Sequence, residues 1–171
     1  MPKRRVLVDT CIIIETFRTR AWTALCAKFD VETVERCIEE ACTGDPLDPR
    51  RTPIDRVELI NGLAKRHTVS DLDLATLAIE RPDLPGLDDG ELHLMAWLHA
   101  NQPVDVALLI STSDIAAARA LHQLHLLDRL VSLEFLGKDA GVSRKNLDAM
   151  AAHYREPWMS ALRVRLMLDI Q

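Results

Sequence analysis

Two short apolar runs without polar alternation predict buried strands near the start and in the second half of the chain. Val6, Leu7 and Val8 form the first run, and residues 104–111 form the second. Continuous aliphatic and β-branched residues are typical of strands in a parallel sheet that is covered on both faces. Each run ends abruptly in polar residues. We therefore expect polar side chains at the carboxyl ends of two parallel strands.

Apolar residues at helical spacing predict amphipathic helices after the first strand. One set recurs at every fourth position and predicts a single helix that starts at Thr10: Ile13, Phe17, Ala21, Leu25 and Phe29. A second helix is predicted over residues 31–42. On that helix Glu35 would border the apolar face, whereas Glu32 and Glu39 would point further toward solvent.

The rest of the chain predicts further helices and short strands. Residues 43–53 contain three prolines and no periodicity, which predicts a loop. Helices are predicted over residues 54–65, 71–81, 87–99 and 115–123, and strands over residues 67–69 and 130–136. Ser70 or Asp71 can cap the helix over residues 71–81. After Gly137 the pattern is helical, with Ser143 as a helix cap and Pro157 in the first turn of the last helix.

Length and composition favour a single domain with helices around a small sheet. The chain has 171 residues, of which 48% are hydrophobic and only 4% aromatic. A core built from Leu, Ile, Val and Ala favours helices packed on a sheet over an all-β sandwich. We therefore predict a three-layer α/β/α fold with a small, mainly parallel sheet flanked by helices.

Composition and local pattern argue against several classes of protein. No apolar run is long enough to span a bilayer and the N-terminus does not resemble a signal peptide, so a soluble, cytoplasmic protein is expected. The four cysteines show no C-x-x-C spacing, which favours free buried thiols over disulfides or a zinc site. The net charge of −5 disfavours a broad basic surface for duplex DNA. Acidic segments alternate with clusters of Lys and Arg, which can hold a cation beside a polyanion.

Four carboxylates stand where a parallel fold would bring polar groups together. Asp9 and Asp114 each follow a predicted strand, and right-handed crossovers bring the carboxyl ends of parallel strands to one edge. Glu35 borders the apolar face of its helix, and Glu91 stands at a helix start. Crowded carboxylates repel one another unless cations lie between them, and their hard oxygens favour Mg²⁺ or Mn²⁺ over Zn²⁺. Such ions activate water for attack on a phosphodiester.

Each of these acids also has a purely structural interpretation. Asp9 can cap the helix that starts at Thr10, and Asp88 with Glu91 fits a capping box. A run of like charges is usually a solvated helix face. The sequence leaves both interpretations open.

In these segments the chain resembles the PIN-domain family. The resemblance covers about residues 5–136 and is carried by four motifs in order: Val6-Leu7-Val8-Asp9-Thr10, Val31-Glu32-Thr33-Val34-Glu35, Leu87-Asp88-Asp89-Gly90-Glu91-Leu92 and Leu109-Ile110-Ser111-Thr112-Ser113-Asp114. It implies a PIN-like catalytic domain over residues 1–136 with a C-terminal helical extension, residues 137–171, packed on it. Family members are typically Mg²⁺- or Mn²⁺-dependent ribonucleases, and many are toxins that pair with an antitoxin protein. The chain departs from the family in its extension and in Glu91, where aspartate is usual.

The resemblance implies an endoribonuclease that cleaves single-stranded RNA with metal-activated water. Asp9 and Asp114 would be the primary ligands of Mg²⁺ or Mn²⁺, and Glu35 and Glu91 would complete the site or orient water. Supporting roles are expected for Thr10, Asp88, Asp89 and Ser113. Contacts with the RNA backbone are expected from Arg18, Arg20, Arg50 and Arg51.

Two other functions and one assembly stay open. A PIN-like fold without turnover would act as a binding module for RNA or protein. A phosphatase with Asp9 as its nucleophile is disfavoured, because Cys11 stands where such enzymes usually have a second aspartate. An apolar line on the last helix predicts a homodimer, and it consists of Trp158, Met159, Leu162, Leu166 and Ile170.

Overall fold

A sheet of four parallel strands lies at the centre of the computed structural model, which describes residues 2–45 and 47–168. The strands are β1 (Arg5–Val8), β2 (Asp30–Val34), β3 (Lys65–His67) and β4 (Leu109–Ser111). Their order across the sheet is β3-β2-β1-β4, and every neighbouring pair is parallel. The predicted α/β fold, with helices flanking a small parallel sheet, is confirmed.

Strand β1 is an inner strand, as its unalternating sequence predicted. Val6, Leu7 and Val8 are fully buried. Because successive side chains point to opposite faces of a sheet, their burial requires that both faces are covered. In the register, Val6 lies beside Val31 of β2 on one side and Leu109 of β4 on the other.

Helices flank the sheet. Their bounds are α1 (Thr10–Arg18), α2 (Trp22–Lys28), α3 (Glu35–Cys42), α4 (Arg56–Gly62), α5 (Asp71–Glu80), α6 (Asp89–Ala100), α7 (Ile115–Gln123), α8 (Leu133–Asp139), α9 (Arg144–Asp148) and α10 (Glu156–Met167). Side chains of Ser70 and Ser143 cap α5 and α9, and Pro157 lies in the first turn of α10, as predicted. None of the helices in residues 2–45 and 47–168 has the length and hydrophobicity needed to cross a bilayer.

The predicted helix over residues 10–29 is two helices rather than one. Arg20 adopts a left-handed backbone conformation, with φ at 56°, between α1 and α2. The Arg20 amide donates to the Phe17 carbonyl and the Ala21 amide donates to the Thr16 carbonyl, which is a Schellman helix ending. Glycine usually occupies this left-handed position, so the arginine gave no signal of a break.

The predicted helix over residues 31–42 is also wrong in its first part, because residues 30–34 form β2. Glu32 is buried instead of facing solvent. Its Oε1 accepts a hydrogen bond from Arg5 Nε at 2.6 Å, and its Oε2 lies 2.8 Å from His67 Nε2. Glu32 thus connects three neighbouring strands through charged hydrogen bonds, which an amphipathic-helix pattern does not reveal.

Two strand predictions also differ from the structure. The second apolar run forms a strand only over Leu109–Ser111, and Val106 within the run is 84% exposed. The strand predicted over residues 130–136 is a single bridge between Leu130 and Ile110, followed by α8. The Ser132 hydroxyl accepts a hydrogen bond from the Phe135 amide and starts that helix. A serine cap therefore overrides the alternation of apolar residues.

The C-terminal helices pack on the rest of the chain. Met159, Leu162 and Leu166 of α10 are buried within this chain, so they do not provide the exposed surface on which the homodimer prediction depended. Ile170, the last residue of that apolar line, lies outside the described residues. The four cysteines carry free thiols, but Cys37 is buried whereas Cys11, Cys26 and Cys42 are partly exposed, so the prediction that they are buried is wrong for these three.

Candidate functional site

The strand order places a crevice between β1 and β4. The chain passes from β1 to β2 and β3 on one side and returns to β4 on the other, and ligands bind at such a reversal at the carboxyl ends of the strands. A cavity of about 560 Å³ lies there. Its acidic lining residues are Asp9, Glu40, Asp88, Glu91 and Asp114.

Asp9 directly follows β1 and is 2% exposed. Its Oδ1 accepts hydrogen bonds from the Ile12 amide at 3.0 Å and from the Cys11 thiol at 2.9 Å, so Asp9 does cap α1. Its Oδ2 is buried and has no hydrogen-bond partner among the described residues. Burial and, less strongly, the negative charge of Asp114 raise the pKa of Asp9. The two interpretations of Asp9 are therefore compatible, since one oxygen caps the helix and the other is free for a ligand.

Asp114 and Glu91 line the same cavity from two helix starts. Asp114 Oδ1 accepts from the amides of Ala116 and Ala117 and so caps α7. Glu91 Oε2 accepts from the Asp88 amide at 3.3 Å, within the predicted capping box. Burial, followed by the charge of Asp114, raises the pKa of Glu91 to about 7. Glu91 is therefore a carboxyl group that exchanges a proton near neutral pH.

Glu40 is a lining residue that sequence reasoning missed. Its Oε2 accepts from the Thr10 hydroxyl at 2.7 Å, and its Oε1 accepts from the Gly90 amide at 2.8 Å. Gly90 allows this approach, because a Cβ at that position would collide with the Glu40 carboxylate. The sequence pattern gave no signal for Glu40, since the groups that hold its carboxylate belong to two other helices, α1 and α6.

Glu35, the predicted second acid, lies elsewhere. It is the first residue of α3 and lines a different pocket of about 390 Å³ together with Arg36 and Asp89. Asp89 Oδ2 accepts from Arg36 Nη2 at 2.6 Å. The structure thus brings Asp9, Glu91 and Asp114 to one cavity and places Glu35 and Asp89 at another.

The small polar residues Thr10 and Ser113 contact other residues that line the cavity. Thr10 donates to Glu40, and Ser113 Oγ lies 3.2 Å from the Cys11 sulfur. Burial and the nearby Asp9 charge hold the pKa of the Cys11 thiol well above its ordinary value. Cys11 is therefore a neutral hydrogen-bond donor to Asp9 and is not poised to act as a nucleophile.

The arginines predicted to contact RNA do not line this cavity. Arg18 donates to Glu15 at 2.6 Å and to the Ala149 carbonyl at 2.7 Å. It stands at the far end of α1, and nine helical residues span about 13 Å. Arg50 donates to Asp48, and Arg51 donates to the Cys42 carbonyl. Arg20 is exposed in the turn that follows α1.

The C-terminal segment supplies the remaining wall of the cavity. His153, Tyr154 and Trp158 line it beside the carboxylates. Tyr154 donates a hydrogen bond of 3.3 Å from its hydroxyl to the Cys11 carbonyl, two residues after Asp9. Sequence reasoning left the role of this segment open because nothing in its pattern connects it with the N-terminal strand.

The lining residues suit a hard divalent cation, although they do not form a complete cage. In residues 2–45 and 47–168, no three His, Cys, Asp or Glu side chains form a group able to hold a metal ion by themselves. Mg²⁺ typically binds through one or two carboxylates and keeps several waters, and it does not require such a cage. The unpartnered oxygen of Asp9, with Asp114 nearby, is consistent with this mode of binding.

Comparisons of the chain with models of known protein families, with curated proteins and with solved structures found no match. The resemblance to PIN-domain proteins therefore stays a prediction from the sequence motifs.

Proposed function

We propose that this protein is a Mg²⁺- or Mn²⁺-dependent endoribonuclease that cleaves single-stranded RNA in the cavity at the carboxyl ends of β1 and β4. The observation that carries the proposal is the buried Asp9 carboxylate with its unpartnered Oδ2. Such a group is stable only when it is protonated or lies next to a positive charge. The carboxylates of Glu91 and Asp114 in the same cavity increase the need for a cation.

The residues of the cavity have distinct roles in this reaction. Asp9 and Asp114 would each hold the cation through the carboxylate oxygen that does not cap a helix. When bound, Mg²⁺ or Mn²⁺ stabilises negative charge at the phosphate and lowers the pKa of a water molecule. Glu91, whose carboxylate lines the same cavity, would accept a proton from the attacking water.

Glu40 acts as a positioning residue in this scheme. Both of its carboxylate oxygens already accept hydrogen bonds, from Thr10 and from Gly90. These bonds connect α3 with the first turns of α1 and α6. They therefore fix the helix starts from which Asp9 and Glu91 enter the cavity.

A cleavage assay tests the proposal. Purified protein is incubated with a pool of labelled single-stranded RNA in Mg²⁺ or Mn²⁺, and the expected result is cleavage that EDTA abolishes. Asp9→Asn should lose cleavage. Asp89→Asn is the matched control, because Asp89 lies at the other pocket, and it should cleave normally. Absence of cleavage by the wild type, or cleavage that persists in Asp9→Asn, would contradict the proposal.

The second candidate is a module that binds RNA without turnover. It is favoured by the finding that no three acidic, histidine or cysteine side chains in the described segments form a metal-holding group. It predicts RNA binding that is insensitive to EDTA and to Asp9→Asn. Metal-dependent cleavage in the assay above would eliminate it.

A further inference from the structure

Aromatic side chains from the C-terminal segment line the same cavity as the carboxylates. His153 and Tyr154 come from the 3₁₀ turn Ala152–Tyr154, and Trp158 comes from the first turn of α10. The whole chain contains only three Trp and one Tyr. Two of these scarce rings therefore stand at the cavity that contains Asp9.

The three rings form one cluster, and part of their surface is accessible to a ligand. The centroids of His153 and Tyr154 are 4.2 Å apart, and those of His153 and Trp158 are 6.2 Å apart in an edge arrangement. Tyr154 is buried, whereas His153 is exposed and Trp158 is partly exposed. Tyr154 is thus the buried part of the cluster, and the other two rings present accessible surface.

Hydrogen bonds fix this cluster relative to the acids. The Ala151 amide donates to Glu15 Oε1 of α1 at 2.9 Å. The Tyr154 hydroxyl donates to the Cys11 carbonyl in the first turn of the same helix. Because Asp9 caps α1, the aromatic cluster and the Asp9 carboxylate are held by one rigid element. A wall that is ordered before binding costs less entropy when a ligand binds.

We propose that His153 and Trp158 form a stacking subsite for a nucleobase of the RNA, an inference that rests on the proposed function. A nucleobase is flat and uncharged, so it stacks on aromatic rings without repulsion from the neighbouring carboxylates. The phosphate attached to its ribose would then lie toward the acidic part of the cavity. The subsite would select nucleic acid over other phosphodiesters and would tolerate any base, since every base has a π-face.

The test compares two ligands that differ only in the base and contain no phosphodiester bond. Binding of adenosine 5′-monophosphate and of ribose 5-phosphate to the full chain is measured in Mg²⁺ by calorimetry or ligand-detected NMR. We expect the nucleotide to bind about tenfold more tightly. Trp158→Leu and His153→Ala should each reduce this preference without changing the affinity for ribose 5-phosphate.

Conservative variants keep the test independent of folding defects. Trp158→Phe retains a ring and should retain most of the preference. Trp97→Leu is the matched tryptophan control, because Trp97 stacks on His67 away from the cavity, and it should bind as the wild type does. Circular dichroism confirms the fold of each variant before titration.

Three outcomes would overturn the subsite. One is equal affinity of the wild type for both ligands, and another is an unchanged preference in both Trp158→Leu and His153→Ala. The third is tight binding of tetramethylammonium with no base preference, which would identify the wall as an organic-cation site. RNA cleavage together with equal affinity for the two ligands would remove the subsite and leave the nuclease proposal intact. Tighter binding of the nucleotide than of ribose 5-phosphate, without RNA cleavage, would remove the nuclease proposal and leave the subsite intact.

Discussion

The negative charge of Asp9, which follows the first strand, helps to raise the pKa of Glu91, the third residue of α6. Burial is the largest cause of the rise to about 7, the charge of Asp114 is the next, and Asp9 contributes less. The three carboxylates are therefore electrostatically coupled across the cavity. This coupling is the basis of the first two predictions.

Removing either neighbouring charge should lower the pKa of Glu91. Asp114→Asn is expected to lower it more than Asp9→Asn, because the Asp114 charge has the larger effect. Carbon-detected NMR titration of labelled glutamate carboxyl groups, without divalent cations, gives the pKa of Glu91 in the wild type and in both variants. Asp73→Asn, at the exposed start of α5, is the control and should leave Glu91 unchanged. A wild-type Glu91 that titrates at its ordinary value of 4.5 would refute the coupling.

Glu91→Gln should make the protein relatively more stable at high pH in EDTA. Between pH 4.5 and about 7 the folded state holds more protons than the unfolded state, so ionisation of Glu91 lowers wild-type stability as pH rises. Glutamine removes this loss. We compare the free energy of unfolding of the variant with that of the wild type at each pH. From pH 5 to pH 8 this difference should change by on the order of 1 kcal/mol in favour of the variant. Urea unfolding at both pH values measures the gain, and a pH-independent difference between the two proteins would count against it.

Glu32→Gln should destabilise the sheet at neutral pH. Burial would raise the pKa of Glu32, but hydrogen bonds from Arg5 and His67 outweigh it and lower the pKa to about 2. The resulting stability is present above pH 4.5 and is lost as pH falls toward 2. Because the Glu32 side chain is 1% exposed, the substitution should cost roughly 2–4 kcal/mol at pH 7, and the cost should shrink near pH 3.

Glu39→Gln is the control for that measurement. Glu39 is exposed and pairs with Arg36 on the surface of α3, so its loss should cost less than about 0.5 kcal/mol at any pH. Urea unfolding of both variants at pH 7 and pH 3 makes the comparison. Equal costs for the two variants would mean that the three-strand cluster does not stabilise the fold.

Substitutions at two glycines distinguish the effect of backbone strain from that of steric contact. A Cβ on either Gly86 or Gly141 would meet no atom within 4 Å, but Gly141 has a φ of +73° after α8. Gly141→Ala should therefore cost about 1–2 kcal/mol, whereas Gly86→Ala should be neutral or slightly stabilising. Thermal unfolding of the two variants checks this, and a similar melting temperature for both would be inconsistent with the left-handed conformation at Gly141.

The sequence predicted those features that local chemistry determines. The unalternating Val6-Leu7-Val8 run identified an inner strand, and the polar residue after it identified the crevice at the strand ends. Ser70 and Ser143 act as helix caps because a serine hydroxyl satisfies free amides at a helix start. Asp9 and Asp114 were predicted to lie at the same edge of the sheet because each follows a strand, and each also starts a helix.

The features that were missed depend on tertiary contacts. Val31 and Val34 fit a helix face as well as a strand, and only pairing with β1 and the burial of Glu32 select the strand. Glu40 lines the cavity instead of the predicted Glu35, because Thr10 and Gly90 of two other helices hold the Glu40 carboxylate there. The aromatic wall could not be found because Tyr154 reaches Cys11 only after the C-terminal segment has packed on α1.

A calorimetric titration with Mn²⁺ identifies the carboxylates that bind the cation. We expect the wild type to bind Mn²⁺, and Asp9→Asn and Asp114→Asn should each weaken binding at least tenfold. Glu35→Gln should bind as the wild type does, because Glu35 lines a different pocket. Wild-type affinity in both aspartate variants, or a loss of affinity confined to Glu35→Gln, would show that Asp9 and Asp114 do not hold the cation.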